Sequence, residues 1–183
     1  TGIGANNGVL IRDAQALEQA RSIDALVFDK TGTLTTGEMA VHRVETRGDT
    51  SEESLLRAAA SLESASEHPL ARAIVEYAEQ EGVELAEPRE FESVAGDGVR
   101  GVVDEEGGEE REVAVGKPEW LLPEGHEAHG RIDEMRAAGQ TVVAVTIDGS
   151  LSGLFAVADS LKEEAVETVR WLEERDIEVW MIT

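Results

Sequence analysis

The chain has 183 residues, 41% of them apolar, no cysteine and a formal net charge of −23. This length allows one or two domains with a sizeable core. The absence of cysteine excludes disulfides and thiolate metal sites, and the acidity argues against a nucleic-acid-binding face because it repels phosphate.

No apolar run approaches the roughly 20 residues that span a bilayer. Lysine is scarce: Lys30, Lys117 and Lys162 are the only three among 16 basic residues. Abundant acid with little lysine is similar to the proteome signature of a halophile. The acid is spread along the chain and not gathered into a ligand set, so a solvated, salt-tolerant surface and a salt-dependent fold are expected.

In chain order, a glycine-rich opening leads into a helix expected over 13–20, with Asp13 as its cap. The apolar run 25–28 predicts a buried strand ending at Asp29. Residues 39–46 alternate as a half-exposed strand. Ser51 opens a helix with Leu55, Leu56, Ala59 and Leu62 on one face. Pro69 starts another, with Leu70, Ala73, Ile74 and Tyr77 as its stripe and Gly82 at its end. Strands are expected over 91–94, 99–103 and 112–115, with a polar hairpin tip at 105–109. A short helix at 118–122 and a longer one near 127–138 precede two strands, 141–147 and 151–157. A helix over 162–174 and an apolar strand over 177–182 close the chain. The two ends read as pieces of one parallel α/β domain, and the middle reads as an inserted antiparallel sheet with helices.

The segment Asp29-Lys30-Thr31-Gly32-Thr33-Leu34-Thr35 carries the chemistry. Carboxyl ends of strands in open α/β sheets are where ligands gather. A carboxylate there, followed by hydroxyls, a glycine turn and a lysine, suits a nucleophile that takes a phosphoryl group. The heptapeptide resembles the phosphorylation motif of P-type ATPases, the ion pumps of the haloacid dehalogenase superfamily. The likeness extends over essentially the whole chain, and Ser66-Glu67-His68-Pro69-Leu70 resembles the SEHPL motif of the heavy-metal-transporting branch.

The resemblance implies an α/β fold in which a Rossmann-like haloacid dehalogenase phosphorylation domain, incomplete here, is interrupted by an α+β nucleotide-binding domain with an antiparallel sheet. The expected divisions are 1–36 (phosphorylation domain, first part, with a stalk), 37–147 (nucleotide-binding domain) and 148–183 (phosphorylation domain, second part). It implies ATP and Mg2+ as cofactors. Asp29 is then the nucleophile, Lys30, Thr31, Thr33 and Thr183 its catalytic companions, and Asp29 with the Thr31 carbonyl the metal ligands. Phosphatases of the superfamily usually carry a second aspartate where this chain has Thr31. Thr31 cannot titrate near neutral pH, so the position favours a persistent aspartyl phosphate over rapid hydrolysis.

For the nucleotide, the resemblance implies Glu63, His68, Gly96 and Gly98, then Gly101 and Lys117. His68 by itself reads as an N-cap of the Pro69 helix; beside the phosphorylation motif it reads as an adenine contact. Gly96-Asp97-Gly98-Val99-Arg100-Gly101 is a GxGxxG string. A strand and not a helix follows it, so a dinucleotide loop is not expected. Lys117 stands where the family usually has asparagine, and it can meet phosphate, ribose or solvent. Asp159-Ser160-Leu161-Lys162 fits both ordinary capping and a family Asp-x-x-Lys/Arg element. Thr36-Gly37-Glu38 copies the letters of an actuator loop but is assigned no catalytic role. His126 and His129 have helical ligand spacing without a third ligand.

The expectation is therefore a fragment of a heavy-metal pump, copper-exporting in the first instance, with a zinc or cadmium pump as the alternative. A soluble phosphatase with a large cap is the more distant one. Its partners would be the pump's own transmembrane and actuator domains and the transported ion, with no nucleic acid. It would lie on the cytoplasmic side of the membrane, and alone it should bind ATP without turnover.

Overall fold

A computed structural model of the chain describes residues 15, 19–105 and 107–182. The expected helix at 13–20 lies largely outside the described residues, and Thr183 lies wholly outside them. The chain divides into two compact units, one of residues 1–37 and 161–183, the other of residues 38–160.

In the first unit, β1 (Ala25–Asp29) pairs in parallel with β8 (Glu178–Ile182), with Asp29 opposite Ile182. A parallel pair needs a crossover connection. Here the crossover contains the whole second unit and then α5 (Glu163–Glu173). Glu163 and Glu164 lie in the first turn of α5, where the helix dipole favours acid. Ala165 and Leu172 are its buried residues. The expectation of a buried first strand is corrected. Only Leu26 and Phe28 are half-buried, and Val27 is 56% exposed. Among the described residues β1 has a single strand neighbour, so its outward residues meet solvent.

The second unit is built on a six-stranded sheet with strand order β2-β7-β6-β5-β4-β3. The strands are β2 (Thr35–Thr46), β3 (Arg89–Val94), β4 (Gly98–Asp104), β5 (Glu110–Gly116), β6 (Thr141–Ile147) and β7 (Ser150–Leu161). The pairings from β3 through β7 are antiparallel. Asp148 and Gly149, both at positive φ, form the two-residue turn between β6 and β7, as right-handed strand twist prefers. The expected domain division at 147/148 falls inside this hairpin. The compact unit continues to Ser160, and β7 pairs with β6 from Ser150 to Val157.

Helices α1 (Glu52–Glu63) and α2 (Pro69–Gln80) cover one face, and α4 (His129–Ala137) covers the other; α3 (Pro118–Leu121) is a single turn. Strand alternation sorts the core into two layers. Val143, Val145, Phe155 and Val157 join Leu55, Leu62 and Ile74. Val142, Ala144, Leu154 and Ala156 join Ile132 and Met135. Ser51 caps α1 by accepting from the Ser54 N–H at 3.1 Å. Gly82, at φ +76°, lets the chain leave α2, with the Val83 N–H returning to the Ala78 carbonyl at 3.0 Å. No helix among the described residues is long and apolar enough to cross a membrane.

Candidate functional site

Asp29 stands exposed at the carboxyl end of β1, and the next five residues coil tightly before β2. Its Oδ1 accepts from the Thr31 N–H at 3.3 Å. The turn requires Gly32, whose φ of +75° lies in the left-handed region. Thr35 closes the loop: its hydroxyl accepts from the Gly32 N–H and donates to the Lys30 carbonyl, both at 3.1 Å. Thr31 and Thr33 are exposed and Lys30 is half-buried. The arrangement holds one carboxylate, two free-standing threonines and a lysine around a loop whose shape is set by its own hydrogen bonds.

Lys162 completes this site. Its Nζ donates to the Gly32 carbonyl at 2.6 Å, and its backbone N–H donates to the Leu34 carbonyl at 2.9 Å. Of the two readings of the Asp159–Lys162 segment, capping fails. Lys162 itself precedes α5, which has no side-chain cap.

Within the second unit, Glu63, His68, Gly96, Gly98 and Lys117 line one cavity of about 290 Å3. Its walls include Leu70, Val94, Val99, Val115 and Val143. Mostly apolar walls with a few polar groups are typical of small-molecule sites. Glu63 ends α1 and is only 7% exposed. Burial pushes its carboxyl up to about 7, against a smaller opposing effect from the Ser66 hydrogen bond. His68 caps α2, its Nδ1 accepting from the Leu70 N–H at 3.2 Å. With Nδ1 so engaged, the neutral ring carries its proton on Nε2.

The three glycines of the GxGxxG string do different work. Gly96, at φ +83°, makes the turn before β4, with open space where a side chain would point. A Cβ on Gly98 would run into the Val115 carbonyl oxygen, with the Gly116 Cα at 2.6 Å and the Trp120 ring at 2.9 Å. Gly98 pairs with Gly116 across β4 and β5, and the Trp120 ring lies against both. The absent side chain at 98 therefore serves backbone and indole packing, in a residue that also lines the cavity. Gly101 does not line the cavity. A Cβ there would meet the Arg89 carbonyl at 2.8 Å and Leu62 at 2.9 Å, so the glycine permits close packing against β3 and α1.

The Lys117 N–H donates to the Asp97 carbonyl at 2.8 Å, fixing the corner before α3, while its side chain is exposed at the cavity rim. His126 and His129 serve locally. His126 Nδ1 accepts from the Ala128 N–H, and His129 Nε2 lies 3.2 Å from the Pro123 carbonyl.

A family model for haloacid dehalogenase-like hydrolases matches residues 23–183. The probable copper-transporting ATPase PacS of Synechococcus elongatus is 41% identical over all of this chain and 24% of its own length. The copper-exporting P-type ATPase B of Archaeoglobus fulgidus is 39% identical over all of this chain and 26% of its own length. The chain thus spans about a quarter of the relatives it matches. A zinc-transporting PIB-type ATPase crystallised in an E2.Pi state superposes with a TM-score of 0.76 at 30% identity, over 88% of this chain and 26% of that one. The catalytic domain of the CPx-ATPase CopB-B gives a TM-score of 0.61 at 27% identity, over 94% and 58%. These matches agree with the expected fold, a haloacid dehalogenase-like domain carrying an antiparallel sheet.

Proposed function

The chain belongs to the haloacid dehalogenase-like hydrolase family, and from that premise we propose that it is the ATP-binding and phosphorylated segment of a P-type ATPase that moves a heavy-metal ion, copper in the first instance. The observation that carries the nucleotide half is the cavity where Glu63, at the end of α1, and His68, the cap of α2, meet the Gly96 turn. Copper is favoured over zinc by the names of the relatives, at 39% to 41% identity.

Asp29 supplies the nucleophile. One carboxylate oxygen is held by the Thr31 N–H, and the other accepts no hydrogen bond from a described residue. That free oxygen attacks the γ-phosphorus of ATP in line. The bond from phosphorus to the bridging oxygen breaks, ADP leaves, and Asp29 carries the phosphoryl group. Thr33 and Lys30, both in the loop, would meet phosphoryl oxygens, and by family resemblance so would Thr183. The exposed carboxylate of Asp29, two residues before Thr31, suits a hard cation, so Asp29 and the Thr31 carbonyl would hold Mg2+, which would neutralise converging anions. Thr31 offers no titrating acid to hydrolyse the intermediate. The remaining domains of such a pump, membrane-spanning and actuator, would convert this phosphorylation into ion movement, with this segment on the cytoplasmic side.

Calorimetric titration of ATP into the chain, beside His68→Ala, tests the nucleotide site. Binding that is lost in the variant supports it, and equal binding by both overturns the His68 assignment. Asp29→Asn in the whole pump should abolish phosphoenzyme formed from γ-labelled ATP. Retention of the label would overturn Asp29 as nucleophile.

A further inference from the structure

The backbone of Asp97 is held on both sides. Its N–H donates to the Val94 carbonyl at 3.0 Å, and its carbonyl accepts from the Lys117 N–H at 2.8 Å. It stands between Gly96, which makes the turn, and Gly98, which pairs with Gly116. A Cβ on Gly116 would strike the Asp97 carbonyl oxygen, so a bare backbone at 116 lets the two segments close together. The turn from β3 to β4 and the link from β5 to α3 thus form one fixed corner, where Asp97 and Lys117 both line the cavity.

The corner carries a carboxylate and an ammonium that do not engage each other. Asp97 is half-buried and Lys117 is exposed, and among the described residues neither side chain has a hydrogen bond or an ion pair. Arg89, Arg100 and Arg136 of the same unit, by contrast, each hold a carboxylate. A half-buried acceptor with a fixed backbone and no partner of its own is preorganised for the donors of a ligand. A carboxylate accepts at two oxygens and donates nothing, which suits the adjacent hydroxyls of a ribose. Glu63 and His68 belong to the helix side of the cavity, which leaves the strand corner for the sugar of a nucleotide whose base they meet. A carboxylate beside that sugar repels the phosphates it bears, and the ammonium at the same corner offsets the repulsion.

We propose that Asp97 is the sugar-reading residue of this cavity: its carboxylate accepts from the ribose hydroxyls and selects ribonucleotides over deoxyribonucleotides, with Lys117 balancing its charge against the phosphate chain. This rests on reading the cavity as a nucleotide site. A deoxyribonucleotide covers the carboxylate without supplying the donor, and a polar group left unpaired under a ligand is how a site rejects an analogue lacking one hydroxyl.

Calorimetric titration of ATP, 2′-deoxy-ATP and 3′-deoxy-ATP into the 183-residue chain tests this. The nucleotides share base and phosphates, so contacts to both cancel in the affinity ratios. ATP should bind roughly tenfold more tightly than at least one of the deoxy analogues. Asp97→Ala should bring all of them to within about twofold of one another. Asp97→Asn, which keeps the shape of the side chain and one neutral acceptor oxygen, should give an intermediate ratio and stands in if the alanine variant fails to fold. Equal binding of ATP and both analogues by the parent, or a preference that persists undiminished in the variants, overturns the sugar reading and leaves the nucleotide site standing. Failure of the folded parent to bind ATP overturns the site and the sugar reading together.

Discussion

The ammonium of Lys162 donates to the carbonyl oxygen of Gly32 at 2.6 Å, joining positions 130 residues apart in sequence. It grips the one glycine whose left-handed conformation shapes the loop behind Asp29. A charge-assisted bond of this kind contributes roughly 1.5 kcal/mol or more. Lys162→Met should slow phosphorylation of Asp29 in the whole pump about tenfold, with ATP affinity of the isolated chain unchanged. Rapid-quench labelling beside calorimetry separates the two readouts. An unaltered labelling rate would show that the loop holds its shape without the lysine.

His68 serves two ends through two atoms, and two substitutions separate them. Alanine removes both the cap and the ring, whereas asparagine remains a good cap. His68→Ala should lose about 1 kcal/mol of stability in urea together with ATP binding. His68→Asn should recover the stability and not the binding. Recovery of both by asparagine would reduce the imidazole to a capping group.

The glycines of residues 96–101 should respond to alanine in different ways. Gly98→Ala forces a methyl group into the Val115 backbone and the Trp120 ring, an overpacking expected to cost about 1–3 kcal/mol. Gly96→Ala meets open space and costs only the left-handed conformation, about 1 kcal/mol. Chemical denaturation of both variants should rank them in that order.

Stability should carry the mark of Glu63 as pH changes. The folded chain keeps this proton up to about pH 7, whereas the ordinary value is 4.5, so folding takes up a proton between them. The contribution is complete below 4.5 and is lost as pH rises through 7. Glu63→Gln should therefore be more stable than the parent at pH 8, by up to roughly 3 kcal/mol, and the gap should close by pH 5. Parallel stability curves across that range would show that the carboxylate finds a partner on ionisation.

Much of this architecture was legible in the chain itself. The apolar runs over 141–147 and 151–157 were readable as two strands, and both faces of that hairpin are packed. Ser51 and Pro69 announced the helices they begin, since capping is a local interaction. What depended on distant neighbours was hidden. The run at 25–28 looked buried because apolar content carries no count of flanking strands. The division expected at 147/148 followed a turn, but β6 pairs with β7 from Ser150 to Val157 across that turn and keeps the hairpin whole. Gly101 shared a pattern with Gly96, but Gly96 sits in an open left-handed turn whereas Gly101 is hemmed in by the Arg89 carbonyl and Leu62. Thr35 and Lys162, which shape the Asp29 loop, act through contacts that no spacing reveals.

The pinched strands at Gly98 and Gly116 also create an optical reporter. Of the chain's three tryptophans, Trp171 and Trp180 lie in the first unit and are more than half exposed, at 52% and 60%. Trp120 is the single indole of the second unit, half-buried against two backbones that border the cavity. Its emission should lie to the blue of the other two. Occupation of the pocket can thus be followed from intrinsic fluorescence, with no label added and with the solvent-facing indoles as an internal reference.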